Sequence, residues 1–172
     1  MAGSIHLSKR PQEPLLVEPS NYSDAERLAR RGLRVADMVE LRAMRGADSQ
    51  GSDIDLAIDA LREGFYPGSW TVWFRGEPCA MFGCPPFPGD HGARIGAIWL
   101  LGHDDLICQD ARASFIRHSR EWFDIASEGY DLVTNYVHEN NHVHIRWLRW
   151  LDCQFLQRVE VHGHGFLEFV HV

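Results

Sequence analysis

The chain has 172 residues, 45% of them hydrophobic and 11% aromatic, with a formal charge of −7 and a pI near 5.8. That length suits one domain with a sizeable core and argues against a second. The acidic balance excludes a general nucleic-acid binder, because neutralising phosphates needs clustered Lys and Arg. No apolar run of about eighteen residues offers a membrane span.

The opening text, MAGSIHLSKRPQEP, has no apolar signal core, so no secretion signal is expected and residues 1–14 read as a flexible extension. Leu15 to Val17, ahead of Pro19, reads as a short first strand. Ser23 followed by Glu26 predicts a capping box, opening a helical region that runs to about Met44 and bends or breaks at Gly32. Beyond the glycine, Val35, Met38, Val39 and Arg42 keep helical spacing. Arg27, Arg30, Arg31, Arg34, Arg42 and Arg45 alternate with acids and read as one solvated face. A second helix begins near Ser52, with Ile54, Ala57, Ile58 and Leu61 on one side, and stops at Gly64.

The backbone signal then changes. Trp70 to Phe74 is β-branched and aromatic, RGE turns, and Pro78 to Cys84 returns, which predicts a hairpin. Pro85 to Gly92 is too rich in Pro and Gly for anything but a loop. Arg94 to Leu101, RIGAIWLL, is a continuous apolar run expected of a central strand covered on both faces. Leu106 to about Ser127 predicts the longest helix, with Ala111, Phe115, Trp122 and Ala126 facing inward.

After Gly129, DLVTNYV predicts another strand. The segment Tyr136 to Phe155, YVHENNHVHIRWLRWLDCQF, passes from that strand through two asparagines into a Trp-rich amphipathic helix. Two strand-like stretches, Phe155 to Val161 and Phe166 to Val170, then flank HGHG. At these spacings Trp122, Trp147 and Trp150 read as core, as do Trp70, Trp73 and Trp99 on strands, while Arg146 and Arg149 face solvent or a partner. Cys79, Cys84, Cys108 and Cys153 lack paired metal-ligand spacing and read as buried reduced thiols. His138, His142, His144, His162 and His164 lack matching Cys or carboxylate partners, so they read as surface histidines and no metal is expected.

The sum is a single α/β (α+β) domain over 1–172. It has a mixed central sheet of about six to seven strands, four main helices, and the order β-α-α-β-β-β-α-β-α-β-β. From about Leu15 onward this resembles the GNAT N-acetyltransferase fold. That family's penultimate helix commonly reads as Asn, a small residue three on, Tyr seven on, and a closing Gly-Phe. Here Asn141 takes the Asn position, His144 the small one and Leu148 that of the Tyr. Asp152 and Cys153 replace Gly-Phe, with Phe155 placed to do the packing. More narrowly, IWLLGHDDL, FIRHSREW, NYVHENN and IRWLRWL resemble GNAT-like internal virion or core-associated proteins of short-tailed phages. That resemblance implies a product found in the host bacterial cytoplasm or the virion, with a virion or host protein as its partner.

The broader resemblance implies acetyl-CoA as cofactor. Ile98, Trp99, Leu100 and Leu101 would pair with its pantetheine arm, Gly102, His103 and Arg112 would meet its diphosphate, and Asn141 would hold the far wall. Yet GHDDLICQDARA, Gly102 to Ala113, has one glycine, three aspartates and Arg112 as its only fixed cation. Like-charge contacts there cost on the order of a kcal/mol each, and Cβ atoms keep phosphates at a distance. Leu148 has no proton to give a departing thiolate. Tyr136, His138 and Glu139 are the candidate catalytic groups, since they lie at the strand end beside the cleft. Two functions follow: a protein acting through contacts with a degenerate cofactor site, or an N-acetyltransferase modifying a host protein amine or a small amine. A metal-dependent binder is the weakest third.

Overall fold

The computed structural model describes residues 14–48, 50–89, 92 and 94–172, so the expected N-terminal extension lies outside them except for Pro14. Strand β1 (Leu15–Pro19) leads into helices α1 (Tyr22–Arg31), α2 (Val35–Arg45) and α3 (Asp53–Gly64). The hairpin β2 (Trp70–Phe74) and β3 (Glu77–Gly83) follows, then β4 (Ile95–Ala97), β5 (Trp99–Gly102) and the long α4 (Gln109–Ser127). Strand β6 (Leu132–His138), helix α5 (His142–Trp150) and the hairpin β7 (Gln154–Val161) and β8 (His164–His171) complete the chain.

Local chemistry explains the boundaries, with one correction. Asn21, not Ser23, caps α1: its side chain accepts from the Ser23 and Asp24 amides while the Asp24 carboxylate takes the Asn21 N–H, closing a capping box two residues earlier than expected. Gly32, at φ 94°, ends α1 in a backbone conformation L side chains rarely adopt, and so separates α1 from α2. Ser52 caps α3 as expected.

Pairing is antiparallel in the order β1-β2-β3-β5, and a second group runs β4-β6-β8-β7. The single strand expected over Arg94 to Leu101 is therefore two. Its first half lies parallel to β6, with Ala97 opposite Thr134, and its second half pairs with β3, Trp99 opposite Gly83. On the β3 side the sheet stays continuous, because Ala97 N–H donates to the Pro85 carbonyl at 2.8 Å and Phe87 N–H to the Ile95 carbonyl at 2.8 Å. On the other side it opens after Ile98. Residues 99–101 are consequently half-exposed toward a cleft and not covered on both faces.

Helices cover both sides. Ala25, Leu28, Leu56 and Leu61 of α1 and α3 pack against Met81, while Phe115 and Phe123 of α4 and Ile145 and Leu148 of α5 pack with Val72, Val133 and Phe169. Leu148, 2% exposed, contributes about 2 kcal/mol by burial, the packing role its apolar side chain allows. Cys79, Cys84 and Cys153 are buried free thiols pushed up to about 12 by burial, and so stay protonated. Two expectations change. Trp150 is 41% exposed, stacked under the Arg120 guanidinium, and Arg34 leaves the solvated face of its helix to lie 7% exposed in the interior.

Candidate functional site: a cleft between splayed strands

The cleft begins with one side chain. Ile98 N–H donates to the Thr134 carbonyl at 3.2 Å, the last direct bond between the two arms. A regular parallel ladder would next join Tyr136 N–H to the Ile98 carbonyl. Instead the Asn135 amide sits between them: its Oδ1 accepts from Tyr136 N–H at 2.8 Å and its Nδ2 donates to the Ile98 carbonyl at 2.8 Å. Asn135 thus satisfies both groups while holding the strands a side chain apart. Asn135→Leu leaves a donor and an acceptor unpaired, at an expected cost of about 1–3 kcal/mol in urea unfolding. A loss below a few tenths would show that the ladder closes without the wedge.

Helix α2 supplies the next groups. The Gly102 amide donates to Asp37 Oδ2 at 3.0 Å, and the Gly102 carbonyl accepts from Arg34 N–H at 2.8 Å. Arg34 grips the same carboxylate at both oxygens, at 3.1 and 2.7 Å, with both residues buried. Burial pushes the Asp37 carboxyl up, against the pull of Arg34 and the Gly102 N–H. One turn on, Glu40 Oε2 accepts from His138 N–H at 3.0 Å and from Asn141 Nδ2 at 3.2 Å, tying α2 to the turn between β6 and α5. Burial raises the Glu40 carboxyl to about 7, and those two hydrogen bonds only partly offset it.

Between the arms lies a cavity of about 400 Å³. Its walls include Trp99, Trp122, Phe82 and Met44, with Glu40 and Tyr136 among its polar members. Gly64 admits the Trp99 ring, since a Cβ there would lie 2.7 Å from it. Two buried polar atoms on this wall, Trp99 Nε1 and His144 Nδ1, have no hydrogen-bond partner. Burial, helped by the Arg34 charge, holds the His144 imidazole down at about 3, so it is neutral. His144 and the buried His138 are therefore not the surface histidines expected.

The loop beyond β5 folds onto itself as a short 3₁₀ turn, Asp104–Ile107. His103 N–H donates to the Cys79 carbonyl, Asp105 N–H to His103 Nδ1, Leu106 N–H to the His103 carbonyl and Cys108 N–H to the Asp105 carbonyl. The cations that reach it are paired with its own carboxylates, Arg31 with Asp105 at 2.5 Å and Arg75 with Asp110 at 2.6 Å. Arg112 is exposed in the first turn of α4.

The sequence-predicted residues distribute as follows. Ile98 to Leu101 and Tyr136 line the cavity, whereas Gly102 and His103 are outside its lining and are held by the bonds just described. Asn141 caps α5, accepting from the His144 amide at 3.4 Å. The His138 ring lies against Phe166 and His164, at 5.2 and 5.9 Å between centroids, and the Glu139 carboxylate pairs with Arg158 at 2.7 Å. Asp37, Glu40 and Asn135 were not foreseen. Acids three apart on α2, one helical turn, are the one signal that points to the first two. Among the described residues no group of three or more His, Cys, Asp or Glu side chains is placed to hold a metal ion.

A V-shaped opening in a mixed sheet, with helices on both sides and this element order, is the GNAT N-acetyltransferase fold. Solved structures agree on the fold. A GCN5-related N-acetyltransferase from Kribbella flavida superposes at TM-score 0.65 with 14% identity, covering 94% of this chain and 99% of its own. A ribosomal-protein-S5-alanine acetyltransferase from Vibrio fischeri gives 0.61 at 9%, covering 95% of both. The yncA protein of Salmonella typhimurium, solved with its cofactor acetyl-CoA, gives 0.60 at 12%, covering 92% of this chain and 93% of its own. A family model described as Bacteriophage T7, probable scaffold protein Gp13, matches residues 89–159, from the loop before β4 into β7. No curated protein matches the chain in sequence.

Proposed function

We propose that this chain is a phage-encoded assembly protein, of the virion or the infected cell, that keeps the GNAT cleft but works through protein contacts. One observation carries the reading: at the end of the cleft where an acetyl-CoA diphosphate would rest, the amides of Gly102, His103, Asp105, Leu106 and Cys108 are engaged by the chain itself. Asp37 and Arg34 occupy Gly102, Asn135 and Glu40 take the Tyr136 and His138 amides on β6, and the His103, Asp105, Leu106 and Cys108 amides bond within the fold beside Asp104, Asp105 and Asp110. These residues do not fit a diphosphate, which needs free N–H groups and positive potential. The likeness of residues 89–159 to a phage scaffold family supports the assembly role.

A second reading, an N-acetyltransferase acting on a protein amine or small amine, has one observation in its favour. Glu40, held near 7 in an apolar cleft beside Tyr136, is tuned to accept a proton at neutral pH. Thermal unfolding with acetyl-CoA separates the two. Binding at a hundred times its Kd would add about 2.7 kcal/mol, a rise of roughly 5–10 °C for a chain of this size. No rise is expected at millimolar ligand, and a rise of that order overturns the contact reading. Affinity purification of the tagged chain from infected cells, followed by mass spectrometry, tests the assembly role, which requires virion proteins or their precursors to co-purify.

A further inference from the structure

We propose that the cleft between β5 and β6 is a socket for an extended peptide segment of a partner protein, with one bulky apolar side chain in the cavity and its backbone bonded to Leu100 and Tyr136. This rests on the protein-contact reading above and names the chemistry of the contact.

Strand alternation sets which backbone groups face the cleft. His103 bonds back to Cys79 on β3, so Leu101 and Trp99 also turn their backbone groups toward β3, while Gly102 and Leu100 turn theirs away. Gly102 is occupied by α2. The Leu100 N–H and C=O are left facing the cleft. On β6, Glu139 N–H bonds to the Gly165 carbonyl, so Thr134, Tyr136 and His138 face away from β8 and toward the cleft. Ile98 takes the Thr134 carbonyl, Asn135 the Tyr136 amide, and Glu40 and Asn141 the two backbone groups of His138. The Tyr136 carbonyl remains. One donor and two acceptors therefore face each other across a gap held open by Asn135.

A donor and an acceptor on one edge residue are what a single residue of an added strand satisfies. Next to that rung, the cavity supplies aromatic walls and the buried, unpartnered Trp99 Nε1–H. A cavity of this size falls within the range of about 300–1,000 Å³ found for small-ligand sites. Charge selects among segments. Glu40 and Glu63 line the cavity, Arg45 is paired with Glu63 at 2.8 Å, and Asp37 backs Gly102, so an acidic segment is disfavoured and a neutral or basic one fits.

The test uses the full chain, labelled with nitrogen-15, and the capped tripeptides Ac-Ala-Phe-Ala-NH2 and Ac-Ala-Asp-Ala-NH2. A peptide making one rung and one apolar contact is expected to bind with a Kd of about 1 mM. The Phe peptide should shift the Leu100 amide and the Trp99 indole N–H, and the Asp peptide should bind at least about tenfold more weakly. Ala60→Trp, at a part-exposed cavity position, should abolish the shifts without changing Tm; Met44→Trp gives a second blocked cavity should the first misfold. No shift at either reporter overturns the proposal, as do equal binding of the two peptides or a response to indole alone. Failure here with no acetyl-CoA stabilisation removes the socket only, whereas acetyl-CoA stabilisation removes the reading beneath it.

Discussion

Asp37→Ala is expected to lose about 3–5 kcal/mol of unfolding free energy, the typical consequence of removing one member of a buried ion pair. The carboxylate holds the Arg34 guanidinium by two hydrogen bonds and the Gly102 amide by a third, and both side chains are buried. Truncation leaves a charge and a backbone donor in the interior with nothing to face. Asp37→Asn keeps an oxygen for Gly102 and should lose less. Replacing both partners by apolar residues should cost less than either single truncation. Urea unfolding of the variants checks this. A loss under about 1 kcal/mol for Asp37→Ala would show that α2 does not seal the β5 edge.

Glu40→Gln should be nearly neutral at acid pH and stabilising at alkaline pH. Burial raises this carboxyl from its ordinary 4.5 to about 7 in the fold. Below 4.5 the carboxyl is protonated both folded and unfolded, and the stability this group confers is fully present. As pH rises from 4.5 to 7 the unfolded chain gives up its proton while the folded chain keeps it, so that stability drains away. Above 7 the loss is complete, at most about 3 kcal/mol for a shift of this size. Glutamine keeps an acceptor for His138 N–H and Asn141 and has no charge to bury. Unfolding at pH 5 and pH 8 should therefore show a much larger advantage for the variant at the higher pH. An equal difference at both would mean that Glu40 is well solvated.

The fold was largely legible in the sequence. The hairpin around RGE, the α3 stripe of Ala57 and Leu61, the capping Ser52 and the long helix ending near Ser127 all follow from periodicity and punctuation, which are local properties. The α1 cap was misplaced from Asn21 to Ser23 because both residues suit the role and only backbone geometry chooses. Arg34 was assigned to a solvated face because charge alternation along a helix does not reveal that the β5 edge lies over it. The candidate site was legible by segment and not by residue. The apolar run at Ile98 marked a central strand, and Asn141 marked the start of the last helix. Asn135, a polar residue in a strand that also holds Thr134 and His138, gave no sign that its amide would replace a rung of the ladder.

What the sequence by itself determined is most of the elements, their order and the acidity of the loop after Gly102, because each depends on residues near one another in the chain. Only the tertiary structure decided that the central strand breaks at Ile98, that α2 brings Asp37 and Glu40 to both arms of the cleft, and that the Leu100 backbone and the Tyr136 carbonyl face the gap between them. Those facts depend on contacts as far apart as Glu40 and Asn141, 101 positions along the chain. Which backbone group goes unpaired is a property of the assembled sheet and of no stretch within it.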